Sequence, residues 1–254
     1  MSEIIYEKKG RIAYITLNRP ETRNAYNYAM VQQWVEALED FRDDPETWAC
    51  ITTGNGPAFC AGADLKELSN PETRDRLMSF LTDKAPCLVN NDIWKPTICA
   101  LDGPALGGGC EFALSCDIRI FTENARIGLT EARVGMGANF GTHKLARMIP
   151  LGVALESLFT GDLLSAEEAY SWGLANQVVP PGELMLAADK MAERILSCAP
   201  LSIRRMKENA MKGLELPLMY AIRLNLGPNV YKSEDQLEGA RAFAEKRKPV
   251  WQGK

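Results

Sequence analysis

Thr97-Ile-Cys-Ala-Leu-Asp-Gly-Pro-Ala-Leu-Gly-Gly-Gly-Cys-Glu111 is the stretch on which the fold turns. Thr97 to Leu101 is a short apolar run that suits a buried strand, and Asp102-Gly-Pro104 ends it. Gly107 to Gly109 come next, and a helix is expected from there through Cys116. Adjacent glycines before a helix let backbone N–H groups approach a ligand closely. The start of the helix adds a positive dipole end. Together these features can stabilise an oxyanion. A tight strand-to-helix connection, with the glycines serving packing alone, explains the same residues equally well.

The pattern repeats outward from this stretch. Arg11 to Asn18 alternates and reads as a strand. Tyr28 to Phe41 sets Met30, Trp34, Leu38 and Phe41 at helical spacing. Ala49 to Thr53 is a strand closed by Gly54-Asn-Gly-Pro57. A second glycine-marked loop, Phe59-Cys-Ala-Gly-Ala-Asp-Leu-Lys-Glu-Leu68, leads into a helix. Ile118 to Thr122 and Arg126 to Leu129 read as further strands. Neither loop matches a dinucleotide or Walker A pattern. Strands alternating with helices predict an α/β architecture. Ser165 with Glu168 forms a capping-box pattern, and Gly173 is a stop. Later segments are helical: Glu183 to Cys198, Ser202 to Lys212, Leu218 to Tyr231, and a helix opened by Ser233 with Gln236. The expected division is an α/β core over 1–196 and a helical oligomerisation region over 197–254.

The bulk properties narrow the function classes. The chain has 254 residues, 46% of them apolar and 24% charged, which is ordinary globular composition. A formal net charge of -4 gives no basic excess, so nucleic acid is not an expected partner. The charged start, with Glu3, Glu7, Lys8 and Lys9, does not read as a secretory signal, and no apolar run is long enough for a membrane span. Seven cysteines, an odd number without a Cys-x-x-Cys pair, read as buried free thiols in a reducing compartment, so a cytoplasmic location is expected. His143 is the single histidine, which argues against a histidine-rich metal site. It reads as a structural or surface group near a helix start.

Two carboxylates remain. Glu111 falls in the first turn of the helix after the glycines, where the dipole alone would favour it. Glu131 lies twenty residues further on and could equally be a solvated helix-start residue. No single helix face brings them together. Only a fold that returns the chain could do so.

A set of motifs ties these features to one family. Ala61-Gly-Ala-Asp-Leu-Lys-Glu-Leu68, Gly107-Gly-Gly-Cys-Glu-Phe-Ala-Leu114, Cys116-Asp117, Gly128-Leu-Thr-Glu131 and Gly135 keep a fixed order and spacing. Leu17-Asn-Arg-Pro20, Asn24-Ala25, Thr160-Gly161 and Ala242-Phe-Ala-Glu-Lys-Arg247 accompany them. The set resembles the enoyl-coenzyme A hydratases of the crotonase family over essentially the whole chain. The resemblance implies a spiral of strand-strand-helix units with a helical C-terminal trimerisation region, and homo-oligomers that are trimers or hexamers built from two trimers. It implies an acyl-coenzyme A substrate, coenzyme A as part of that substrate, and no metal. By the same resemblance, the N–H groups of Ala63 and Gly108 form the oxyanion hole. Glu111 activates water, and Glu131 exchanges the proton at the α-carbon. Ala61 and Ala63 present carbonyls to the adenine, within a coenzyme-binding run that includes Asp64 and Leu65. Lys66 and Arg23 face the phosphates. Phe243 and Lys246 reach the coenzyme of a neighbouring subunit.

Other chemistries share this oxyanion hole: isomerases, hydrolases, decarboxylases, and a carnitinyl-coenzyme A dehydratase-like subgroup that the ending with Pro249-Val-Trp251 resembles. A non-catalytic acyl-coenzyme A binding protein is the alternative from another class. Both glutamates together favour hydration. The chain departs from the family pattern at Met136-Gly-Ala-Asn-Phe-Gly-Thr142, where Pro-Gly-x-Gly-Gly-Thr is usual and one residue longer. Arg133 stands where an apolar residue is common, and Glu21 where many hydratases carry Lys. The altered loop borders the acyl pocket, so an acyl group other than a simple straight chain is expected.

Overall fold

The computed structural model describes residues 2–254. The elements are β1 (Ile4–Lys9), β2 (Ile12–Leu17), α1 (Tyr28–Asp43), β3 (Ala49–Gly54), α2 (Leu65–Ser69), α3 (Pro71–Leu88), β4 (Thr97–Leu101), β5 (Pro104–Leu106), α4 (Gly108–Ser115), β6 (Ile118–Thr122) and β7 (Arg126–Gly128). After these come α5 (Asn139–Met148), α6 (Leu151–Thr160), β8 (Leu164–Ser165), α7 (Ala166–Ser171), β9 (Gln177–Val179), α8 (Leu184–Leu196), α9 (Pro200–Gly213), α10 (Leu218–Ala221) and α11 (Glu234–Ala244).

Six strands form one sheet in the order β1-β2-β3-β4-β6-β9. Within this sheet only β1 and β2 pair antiparallel, and the other pairings are parallel. The second sheet has the order β5-β7-β8. Twice, at β4-β5-α4 and β6-β7-α5, the chain lays one strand in the large sheet and a short one in the small sheet before a helix returns. That is the crotonase spiral.

The period of two along each strand sorts residues onto two cores. Ile12, Ile51, Ile98, Ala100 and Ile120 face α8, where Leu184, Ala188 and Ala192 bury against them. The alternate residues Ala13, Ile15, Cys50, Cys99, Leu101 and Phe121 face the other way, into a larger core with Met30, Trp34, Leu38 and Phe41 of α1. Strands buried on both faces carry near-continuous apolar runs, as β4 does.

The strands expected at Thr97 to Leu101 and Ile118 to Thr122 form with those bounds, and Ser165 and Glu168 complete a reciprocal capping box. The long helix expected over Leu218 to Tyr231 does not form. Only Leu218–Ala221 is α-helical, and Val230–Lys232 is a separate 3-10 turn. Gly227 adopts a left-handed φ of 74° before Pro228, and proline disfavours a helical residue ahead of it. His143 is exposed and lies within α5 rather than at its start. Six cysteines are buried and free, while Cys198 is free and exposed. No helix among the described residues is long and apolar enough to cross a membrane.

Candidate active site

The two glycine-marked loops meet edge to edge. Cys60 accepts from Leu106 N–H at 2.8 Å and donates its own N–H to Pro104 at 3.1 Å. On the other flank, Tyr26 N–H donates to the Gly62 carbonyl at 2.8 Å, and Tyr26 accepts from Asp64 N–H at 2.9 Å. These bonds fix Ala63 beside Tyr26 and leave its N–H free: it donates to no protein acceptor among the described residues.

The chain then turns sharply into α4. Gly107 has φ 53° and ψ -125°, a combination that favours glycine, and its N–H donates to Gly128 at 3.0 Å. Gly108 opens the helix, and its N–H also lacks a protein acceptor among the described residues. Two unpaired N–H donors therefore come from two adjacent loops, one of them at a helix N-terminus. Both residues line a cavity of about 400 Å³.

Glu111 and Glu131 line the same cavity. Glu111 is held from the far side by α5: Gly141 N–H donates to its Oε1 at 2.7 Å. Glu131 starts a 3-10 turn over Glu131–Val134, and its Oε2 is buried without a hydrogen-bond partner. Burial pushes both carboxyls above the usual carboxylate range; the N–H groups of Gly141 and Phe140 partly offset this at Glu111, and the charge of Glu111 adds to it at Glu131. The return of the chain through β6 and β7 is what brings together two residues that no helix face could pair.

The rest of the lining is largely apolar. Trp34 of α1 and Phe112 of α4 pack with ring centroids 4.4 Å apart, and Leu81, Ala85 and Leu88 come from α3. Asn139 and Phe140 of the altered loop also line the cavity. Arg133 does not: its guanidinium faces outward, donating to the Thr160 carbonyl at 2.8 Å and pairing with Asp162.

The other residues singled out in the sequence divide into two groups. Ala61, Ala63 and Leu65 reach the cavity, and the Ala61 and Ala63 carbonyls accept no protein hydrogen bond among the described residues. Arg23 and Lys66 are exposed outside it. Asp64 caps α2 through Lys66 N–H at 3.1 Å and faces Arg19, so its carboxylate is already engaged. Phe243, 89% exposed, and Lys246 lie on and just beyond α11 and do not line the cavity of their own chain. Tyr26 and Trp34 are lining residues that the motifs did not mark, and Phe112 lies within a motif without being assigned a role.

Residues 7–254 match the model of the enoyl-CoA hydratase/isomerase family. The chain belongs to this family. It is 40% identical over 254 residues to an (E)-benzylidenesuccinyl-CoA hydratase of Thauera aromatica, covering 98% of this chain and 99% of that one. It is 39% identical over 264 residues to a carnitinyl-CoA dehydratase of Salmonella enteritidis, covering all of both. A solved enoyl-CoA hydratase structure from Bacillus anthracis superposes with a TM-score of 0.91 at 34% identity, over 99% of this chain and 100% of that one. Enoyl-CoA hydratase and dehydratase chemistry is thus the activity of the chain's family relatives, and the family acts on coenzyme A thioesters.

Proposed function

We propose that this protein is a hydro-lyase that reversibly adds water across the α,β double bond of an enoyl-coenzyme A thioester. One observation carries the reading: two carboxylates, both with raised affinity for a proton, share a cavity with two unpaired backbone N–H groups. Charge builds on the thioester oxygen as water adds. The N–H groups of Ala63 and Gly108 receive it, and losing one such donor typically costs about 3 kcal/mol. Glu111, oriented by Gly141, takes the proton from the attacking water. Glu131 delivers a proton to the α-carbon, and its unpaired Oε2 suits that exchange. The two carboxyls titrate as a pair, which lets one hold a proton while the other is ionised.

Coenzyme A enters as part of the substrate, its adenine against the free carbonyls of Ala61 and Ala63, with Arg23 and Lys66 toward the phosphates. Phe243 and Lys246 reach the coenzyme of a neighbouring protomer in a trimer or a hexamer of two trimers. The reaction needs no metal. A cytoplasmic location accompanies this reading.

The acyl end is proposed to take a bulkier group than a short straight chain. Support comes from the Trp34–Phe112 wall and from Phe140. The test follows the loss of enoyl absorbance with crotonyl-coenzyme A and with branched, aromatic and betaine-bearing analogues. Hydration of at least one, fastest with an aromatic or branched acyl group, is expected. No hydration of any thioester in the panel would overturn the reading. A kcat/KM for crotonyl-coenzyme A near the diffusional ceiling of about 10⁸ M⁻¹s⁻¹ would overturn the acyl preference.

A further inference from the structure

Tyr26 occupies a position that neither the acid/base pair nor the oxyanion donors explain. Its backbone is bonded to Gly62 and Asp64 on either side of Ala63, and its ring crosses to the other loop. A Cβ at Gly108 would lie 2.2 Å from the Tyr26 hydroxyl and 2.9 Å from its ring. The side chain therefore reaches from the loop that carries Ala63 to the start of α4 at Gly108. It lines the cavity, yet its hydroxyl makes no hydrogen bond with any described residue.

A strut between the loops does not need that hydroxyl. Tyr26 is half-buried, and its hydroxyl opens to the cavity; once a bound acyl group displaces water there, phenylalanine would leave no polar group unpaired, whereas the hydroxyl needs an acceptor. The phenol stays protonated, because burial and the nearby Cys60, Glu111 and Glu131 all disfavour its ionised form. It is thus a neutral donor without a protein acceptor. The thioester oxygen has two lone pairs, and the N–H groups of Ala63 and Gly108 match both. The acceptor for Tyr26 must then lie elsewhere on the bound molecule.

We propose that Tyr26 is a specificity-determining residue whose hydroxyl donates to an uncharged oxygen substituent on the acyl group. The proposal rests on the acyl-thioester reading above. The uncharged character follows from the lining: it holds two carboxylates and, among the described residues, no Arg, Lys or His. An anionic acyl group would meet repulsion without a counter-charge. Much of the cavity lining is apolar, Val31, Trp34, Leu65 and Phe112 among it, so a keto or hydroxyl oxygen has few other partners there.

The test uses saturated thioesters, so it does not depend on turnover. Calorimetry compares the intact protein with its Tyr26→Phe variant. The ligands are butanoyl- and hexanoyl-coenzyme A, their 3-, 4- and 5-oxo counterparts, and succinyl-coenzyme A. A neutral hydrogen bond corresponds to about a tenfold change in affinity. The expected result is that Tyr26→Phe weakens at least one oxo thioester about tenfold more than its parent hydrocarbon thioester. An equal change for parent and oxo ligands, including none, would reduce Tyr26 to a strut and overturn the proposal. A selective loss confined to succinyl-coenzyme A would overturn the uncharged assignment. If no thioester binds the unsubstituted protein at all, it is the acyl-coenzyme A reading that fails.

Discussion

Gly141 donates its backbone N–H to Glu111 Oε1 at 2.7 Å, so the first turn of α5 orients a carboxylate that belongs to α4. Glu131 has no such support at its Oε2. The two carboxyls are thus unequal in environment although both face one cavity. A fixed, hydrogen-bonded carboxylate suits a base that must hold water in one place. An unpaired one suits a group that hands a proton over.

Glu111→Gln and Glu131→Gln should each lower kcat by about 100- to 10,000-fold, the usual range for a general acid or base. The amide keeps the shape, and in Glu111→Gln its oxygen can still accept from Gly141. Binding of a saturated acyl-coenzyme A should therefore change much less than kcat. Steady-state kinetics beside calorimetry separate the two. Turnover at the unsubstituted rate in either variant would end the acid/base assignment.

The raised proton affinity of both glutamates carries a stability consequence with a definite sign. A carboxyl whose folded pKa exceeds its unfolded value, about 4.3, binds more protons in the folded state over that interval. Stability then falls as pH rises through it. Each Gln variant removes this effect. Both should melt at a higher temperature than the unsubstituted protein at pH 7, with the advantage fading as pH drops below about 4. Thermal melts across pH read this directly. Variants that melt lower at pH 7 would contradict it.

How much of this was legible in the sequence depends on where each signal sits. The period of two in β4 and β6 and the glycine loops mark the centre of the fold, because buried parallel strands must be apolar and a close approach must be glycine. β1 was not legible: of its six residues only Ile4 is buried, and Glu7, Lys8 and Lys9 mask the strand as an exposed edge. α3 was missed as well, since its interior contains Pro86. That helix supplies one wall of the cavity through Leu81, Ala85 and Leu88. The motifs mark the groups proposed to handle the thioester. Tyr26 and Trp34 line the cavity, and their place there appears only when separate elements close around one space.

Arg133 supplies a contrasting prediction. Its position beside the altered loop made it a candidate for the acyl pocket, but its side chain pairs with Asp162 and is 55% exposed. An exposed pair of this kind contributes at most about 1 kcal/mol to stability. Arg133→Ala should leave kcat/KM within about twofold for every thioester tested. Asn139→Ala, at a residue that does line the cavity, should alter the ratio between polar and hydrocarbon substrates. A tenfold change in Arg133→Ala with no change in Asn139→Ala would reverse this assignment.

The helical region after the last strand carries the remaining prediction. Leu218, Met219 and Ile222 are each more than 70% exposed, and Phe243 is 89% exposed. Contiguous apolar exposure on this scale marks an interaction surface. No strand follows β9 with which these residues could join the large sheet. The proposed trimer or hexamer would cover them, and would bring Phe243 and Lys246 within reach of a neighbouring protomer's coenzyme site. Light scattering of the full chain should give about three or six times the 28.1 kDa protomer mass at micromolar concentration. Ending the chain after Gly213 should yield monomers or aggregates, and should weaken coenzyme A binding because both residues are removed. Phe243→Asp places a charge in the same surface without shortening the chain, and it should lower the mass in the same direction. A full-length chain that remains a monomer would exclude the shared site.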